Sequence, residues 1–208
     1  MPGAAPLQES GGNVRDACLR AALQIIISDG AENLSIREVS RRLGLSHQAP
    51  YKHFQSRDQL VAEVIGSCFD EFGDYLQTAA RTSEEPVTAL LAMGQAYLRY
   101  ADENPAKYRI MFSDPLPAMP AHTSMAGQVK AAYDVLRSSL RQHYQSLGLA
   151  TAEAEAERNA LHIWATLHGL ATLLQHDTTR VLELPPALTE AAPLYTFVCL
   201  RPLLFPAL

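Results

Sequence analysis

The sequence predicts an all-α chain, with an N-terminal three-helix helix-turn-helix head joined by a long helix to a helical-bundle body. Three observations predict it. Apolar residues recur at helical spacing, and no stretch shows strand-like alternation bounded by turn residues. Helix stops are plain at Asn104-Pro105, at Pro115 to Pro120, at Gly148 and at Pro185-Pro186. The stretch from Ser35 to Arg57 reads as two short helices around a glycine turn, followed by the start of a third.

Met1 to Gly12 holds two prolines, three glycines and almost no bulky apolar residue, so residues 1–12 are expected to be a disordered tail. The head follows over 13–60. Val14, Cys18, Ala21, Ala22, Ile25 and Ile26 form one stripe of a first helix, which Gly30 stops. Ser35 and Glu38 form an S-x-x-E capping box, with Leu34 placed to staple onto Val39, so a helix starts at Ile36. Ile36, Val39 and Leu43 give it a buried face, Gly44 supplies the left-handed stop, and Leu45 plugs the turn.

Ser46 then opens a second short helix over His47 to Phe54. Pro50 is tolerated in a first turn but biases Ala49 away from helical angles, so this helix is expected to start late or tilt. Ser56 with Gln59 caps a long helix to about Ala80. Its apolar stripe of Val61, Ile65, Cys68, Phe69, Phe72 and Leu76 runs beyond the head and suggests a mechanical link to the body, residues 61–208. Body helices are expected at 86–103, 105–112, 124–147, 152–176 and 188–204. Thr151, Glu153 and Glu155 make a favourable start for the fourth of these, while Pro193 and Pro202 blur the ends of the last.

The second short helix carries the functional signal. Pro50 and Phe54 share its inner face, Gln48 and Lys52 point away, and His47 and Tyr51 flank the exposed side. Amide, imidazole, phenol and ammonium can donate to phosphates or read base edges in a major groove. Arg57 lies in a helix first turn, where free N–H groups and a cation can jointly hold a phosphate.

Ser-Ile-Arg-Glu-Val-Ser-Arg-Arg-Leu-Gly-Leu-Ser, then Ala-Pro-Tyr-Lys-His-Phe, then Ser-Arg-Asp-Gln-Leu resembles the DNA-binding head of the tetracycline-repressor (TetR) family over Val14 to Val64. The family usually carries a large aliphatic residue where this chain has Pro50; the Ala-Pro-Tyr variant is similar to one of its branches. Trp164-x-x-x-His168-Gly169 resembles the C-terminal domain of the Trp-His-Gly branch. The resemblance implies a homodimeric, cytoplasmic transcription regulator, most simply a repressor released from a pseudo-palindromic operator by a small apolar effector. Gln48, with His47 and Ala49, would read bases; Tyr51, Lys52, His53 and Arg57 would hold phosphates; Arg37 would reach a base or the backbone. Tyr97, Tyr100, Tyr108, Met111, Phe112, Trp164 and His168 would line the effector cavity, although each on its own reads more readily as core than as a ligand contact. Helices 152–176 and 188–204 would pair between protomers. Ala160, Ala165, Gly169 and Ala171 are contributed by the first, and Leu194, Tyr195, Val198 and Leu203 by the second.

Charge first argues against nucleic acid, because the chain carries a formal −5. Divided, residues 13–60 hold seven basic against five acidic groups, while the remainder is −7, so affinity must come from placed contacts and pairing. Cys18, Cys68 and Cys199 are scattered singly, as reduced thiols are in a cytoplasm. No apolar run is long enough to span a membrane, and no signal-peptide core opens the chain. His143, His162, His168 and His176 lack metal-ligand spacing, and no phosphate loop, nucleophile elbow or acid pair implies a cofactor or catalysis. A ligand-binding or scaffolding protein that keeps the fold without DNA binding is the alternative, supported by Pro50 and the acidic balance.

Overall fold

The computed structural model describes residues 11–112, 117–149, 152–175, 181–183 and 185–205. Among them are eight α-helices and no strand. They are α1 (Gly11–Asp29), α2 (Ile36–Leu43), α3 (Arg57–Ala80), α4 (Pro86–Glu103), α5 (Pro105–Met111), α6 (Thr123–Ser146), α7 (Ala152–Gln175) and α8 (Pro186–Leu204). Two compact units divide the chain, one of residues 1–68 with 109–127 and the other of 69–108 with 128–208. The first therefore takes in a segment that lies far from the head in sequence.

In the first unit, α1 packs on α2 and on the turn at Pro50–Lys52. Cys18, Ala22, Ile25, Leu34, Val39, Phe54 and Leu60 close its core. Helix α1 already includes Gly11 and Gly12, which corrects the tail boundary; residues 1–10 and the expected cap Thr151 lie outside the described residues. Helix α2 starts as the cap residues dictate, with the Ser35 side chain accepting from Glu38 N at 3.1 Å. Only that half of the capping box forms. The Glu38 carboxylate turns instead to Arg41, at 2.6 and 2.8 Å, and Arg42, at 3.1 Å. Two guanidinium groups on the next turn outcompete a single backbone N–H. They hold the Glu38 carboxyl down at about 2. Gly44, at φ 64°, ends the helix, and the Leu45 N–H returns to Ser40 O at 3.0 Å, the bond that closes a Schellman turn.

In the second unit, α7 packs against α8 and α4, and α4 also meets α8. Gly94 on α4 allows the last approach: a Cβ there would lie 2.7 Å from the Phe197 ring. Arg137 and Arg141 on α6 pair with Glu157 and Glu153 on α7. Helix α8 runs unbroken through both Pro193 and Pro202. Its C-terminal carbonyls, which have no partner within the helix, are met by buried side chains. His143 Nε2 reaches Leu204 O at 2.9 Å, Tyr144 donates to Leu203 O, and Asn159 donates to the Tyr144 hydroxyl at 3.0 Å.

Candidate nucleic-acid interface and aromatic core

The segment from Ser46 to Phe54 is not the α-helix expected. Residues 47–49 form turns and Pro50–Lys52 a single 3-10 turn. The bonds explain why. A first α-helical turn needs residue 50 to donate to Ser46 O, and proline has no N–H. Ala49 N donates there instead at 3.1 Å, and the three-residue spacing continues through Lys52 N to Ala49 O and His53 N to Pro50 O. Ala49 itself stays in the right-handed helical region (φ −61°, ψ −47°), against the expected bias. The 3-10 turn carries no side-chain cap.

This tighter coil still sorts the side chains as required. Pro50 and Phe54 are buried, Ala49 and His53 are half-buried, and His47, Gln48, Tyr51 and Lys52 are exposed. Arg37 on α2 is exposed as well. Arg57, also exposed, is engaged within the first unit. Its Nε donates to Leu34 O at 2.9 Å and its Nη2 to Ala31 O at 2.5 Å, so the guanidinium braces the turn between α1 and α2. Arg42 likewise pairs within the unit, with Glu38 and Asp29.

In the second unit the expected ligand residues meet in one aromatic cluster. Trp164 lies edge-on to Phe72 (6.0 Å between ring centres), Tyr97 (5.7 Å) and Tyr133 (5.5 Å). Tyr100 packs on Phe72 at 5.0 Å. The Tyr108 hydroxyl lies 2.7 Å from His168 Nδ1 and 2.9 Å from the Tyr97 hydroxyl. Burial raises the Tyr97 phenol, pushes Tyr108 up to about 12 and lowers the His168 imidazole, so all three groups are neutral near neutral pH. Met111 and Phe112 fall in the first unit, Met111 fully buried and Phe112 half-buried.

Beside Trp164 the cavity measures about 20 Å³, room for one water, within Leu76, Leu90, Met93, Gly94, Tyr97, Leu136, Ile163 and Leu167. Two larger clefts were not foreseen. One of about 790 Å³ lies among Gln77, Arg81, Pro86, Ala89, Val135 and Ser138, and one of about 520 Å³ among Asp74, Tyr75, Ala92, Gln95 and Arg99. Both are lined by residues of more than one helix, which no local pattern reports. Of the residues expected at a pairing surface, Leu194, Tyr195 and Val198 are more than 60% exposed, whereas Ala160 and Ala171 are buried within the protomer. Among the described residues no helix is long and apolar enough to cross a membrane, and no group of His, Cys, Asp and Glu could hold a metal ion.

Residues 19–64 match the family model for bacterial regulatory proteins, tetR family, and residues 90–192 that for the tetracyclin repressor-like C-terminal domain. An HTH-type transcriptional regulator of Mycobacterium tuberculosis is 28% identical over 97 residues, 44% of this chain. That match spans only 40% of the relative's length. A Rhodococcus sp. RHA1 protein of unknown function has the same fold, with a TM-score of 0.74 at 22% identity over 97% of this chain and 98% of its own. AibR, solved with isovaleryl coenzyme A and operator DNA, gives a TM-score of 0.58 at 17% identity, over 76% of this chain and 86% of its own.

Proposed function

The chain belongs to the tetR family of bacterial regulatory proteins, and from that premise we propose a cytoplasmic, homodimeric DNA-binding repressor released from a pseudo-palindromic operator by a small-molecule effector. The observation that carries the reading is the outward set His47, Gln48, Tyr51 and Lys52, with Arg37 beside it, displayed over a buried Pro50 and Phe54. Gln48, with His47 and Ala49, reads base edges, and Tyr51, Lys52 and His53 hold phosphates. Arg37 reaches a base or the backbone from α2. Arg57 braces the turn from which α2 starts. A recognition segment this short needs a second copy, with the two heads about 34–36 Å apart or a multiple of it.

Exposed apolar side chains on α7 and α8 support the pairing: Leu161, Leu173 and Leu174 on one, Leu188, Leu194, Tyr195 and Val198 on the other. Gly169 belongs with them, since a Cβ there would meet nothing inside the protomer. The effector enters the aromatic cluster around Tyr97, Tyr100, Trp164 and His168, and shifts head spacing only by its differential affinity for the two states. The alternative, a ligand-binding or scaffolding protein without DNA binding, rested on Pro50 and on the acidic balance, which stands. The first of these weakens, because Pro50 is buried and Ala49 keeps helical angles.

Paired substitutions test the assignment. Lys52→Ala should weaken binding to every DNA sequence and reduce the salt slope by about one, while Gln48→Ala should relax preference by about 1–3 kcal/mol at one base position. Loss of preference in Lys52→Ala with an unchanged slope would contradict these roles.

A further inference from the structure

We propose that the groove of about 520 Å³ between α3 and α4 binds a free α-amino acid with an apolar side chain, Asp74 meeting its ammonium and Arg99 its carboxylate. The groove shares no lining residue with the cavity beside Trp164, so it is a second site, independent of the effector site in the aromatic core.

Helical spacing builds the groove, all of it within the second unit. Tyr75 and Ala79 lie four apart on α3 with Asp74 beside them, and Ala92, Ala96 and Arg99 recur on one face of α4. The two helices run antiparallel along it. Glu71 is bonded to Lys107, just past α4, the Tyr75 hydroxyl donates to Glu103 Oε2 at 3.2 Å, and the Tyr75 ring packs edge-on to Tyr100 at 5.5 Å. Arg99 is near enough to the Tyr75 phenol to act on it electrostatically. Asp74, Tyr75 and Arg99 are therefore gathered at one end, and Ala79, Ala92 and Ala96 line the rest.

Charge decides what the groove accepts. Of the three charged side chains in its lining, Glu71 is committed, with both carboxylate oxygens 2.7 Å from Lys107 Nζ. Asp74 and Arg99 form no ion pair among the described residues, either with each other or with a neighbour. A lone anion drawn to Arg99 would meet the charge of Asp74, and a lone cation drawn to Asp74 would meet Arg99. A zwitterion satisfies both walls at once, with a charge-assisted hydrogen bond to each. Its side chain then lies along the methyl groups of the three alanines. Small-molecule sites of about 300–1,000 Å³ combine apolar walls with a few polar groups in this way.

The test is calorimetric titration of the full-length protein near neutral pH with L-phenylalanine and two analogues. One is 3-phenylpropanoate, which lacks the ammonium, and the other is 2-phenylethylamine, which lacks the carboxylate. Phenylalanine should bind saturably at one per chain, and each analogue at least about fivefold more weakly. Asp74→Asn should weaken phenylalanine about fivefold without weakening 3-phenylpropanoate, and Arg99→Gln should do the same without weakening the amine. Both side chains are exposed, so the melting temperature should stay at the wild-type value. An analogue that binds as tightly as phenylalanine would overturn the pairing of the charge it lacks. Phenylalanine binding that neither substitution weakens would put the ligand in the aromatic core or elsewhere and overturn the groove as its site. No saturable binding at millimolar phenylalanine would overturn the inference outright.

Discussion

Arg57→Met separates a brace from a phosphate contact. Methionine keeps an apolar stem and removes the guanidinium that donates to Leu34 O at 2.9 Å and to Ala31 O at 2.5 Å. A hydrogen bond from a charged donor contributes about 1.5–3 kcal/mol when sheltered. The Leu34 bond is only part-buried and the Ala31 bond is exposed, so the two together are taken at about 2 kcal/mol. For a chain of this size the melting temperature falls by about 2–4 °C per kcal/mol, giving a loss of roughly 4–8 °C. Thermal melting without DNA reads the first quantity, and a salt series on a DNA fragment reads the second. The brace predicts a less stable free protein whose salt slope is unchanged. An unchanged melting temperature with a slope reduced by about one would return Arg57 to the phosphates and refute the reasoning.

Three further outcomes follow from the packing. Gly44→Ala meets no atom within 4 Å but forces a Cβ onto φ 64°, so it should cost about 1 kcal/mol of backbone strain; a melting temperature equal to wild type would contradict the Schellman turn. Asn159→Leu removes the donor to Tyr144 and should cost about 1–3 kcal/mol, with faster amide exchange at the end of α8; unchanged protection there would sink the clamp. Glu38 has a folded pKa of about 2 against an ordinary 4.5. Its contribution to stability is therefore full above the ordinary value and lost as pH falls through the folded one. The stability gap between wild type and Glu38→Gln should close over that acid window, and a gap that stayed constant with pH would show that the arginine pairing does not act.

Local punctuation made most of the helices legible. Pro86, Asn104-Pro105 and Gly148 delimit elements because proline and glycine act on the backbone of their own neighbourhood, and α4 runs from Pro86 to Glu103 as the pattern requires. Ser35 and Gly44 specified both ends of α2 for the same reason. The pattern also separated the inner from the outer side chains of the recognition segment, but not its coil. Proline's missing N–H was visible in the sequence, and the compensating Ala49 to Ser46 bond was not. Glu38 had the Ser35 N–H available and took Arg41 and Arg42 instead. The partners of Arg57 lie 23 and 26 residues away. The clamp on α8 joins His143, Tyr144 and Asn159 to carbonyls 44 to 61 residues on. Distance in sequence hides such pairings, and it hides the clefts as well.

The account depends most on whether the exposed set on the Pro50 turn grips DNA. The direct measurement is binding of the purified protein to its own upstream intergenic DNA across a salt series, against random DNA of equal length. The account predicts saturable binding, steeply weakened by salt and well above the random fragment, with half-sites spaced by about one or more helical turns. Binding no tighter than to random DNA, here and across a randomised operator library, would contradict it and leave a ligand-binding protein that has kept only the fold.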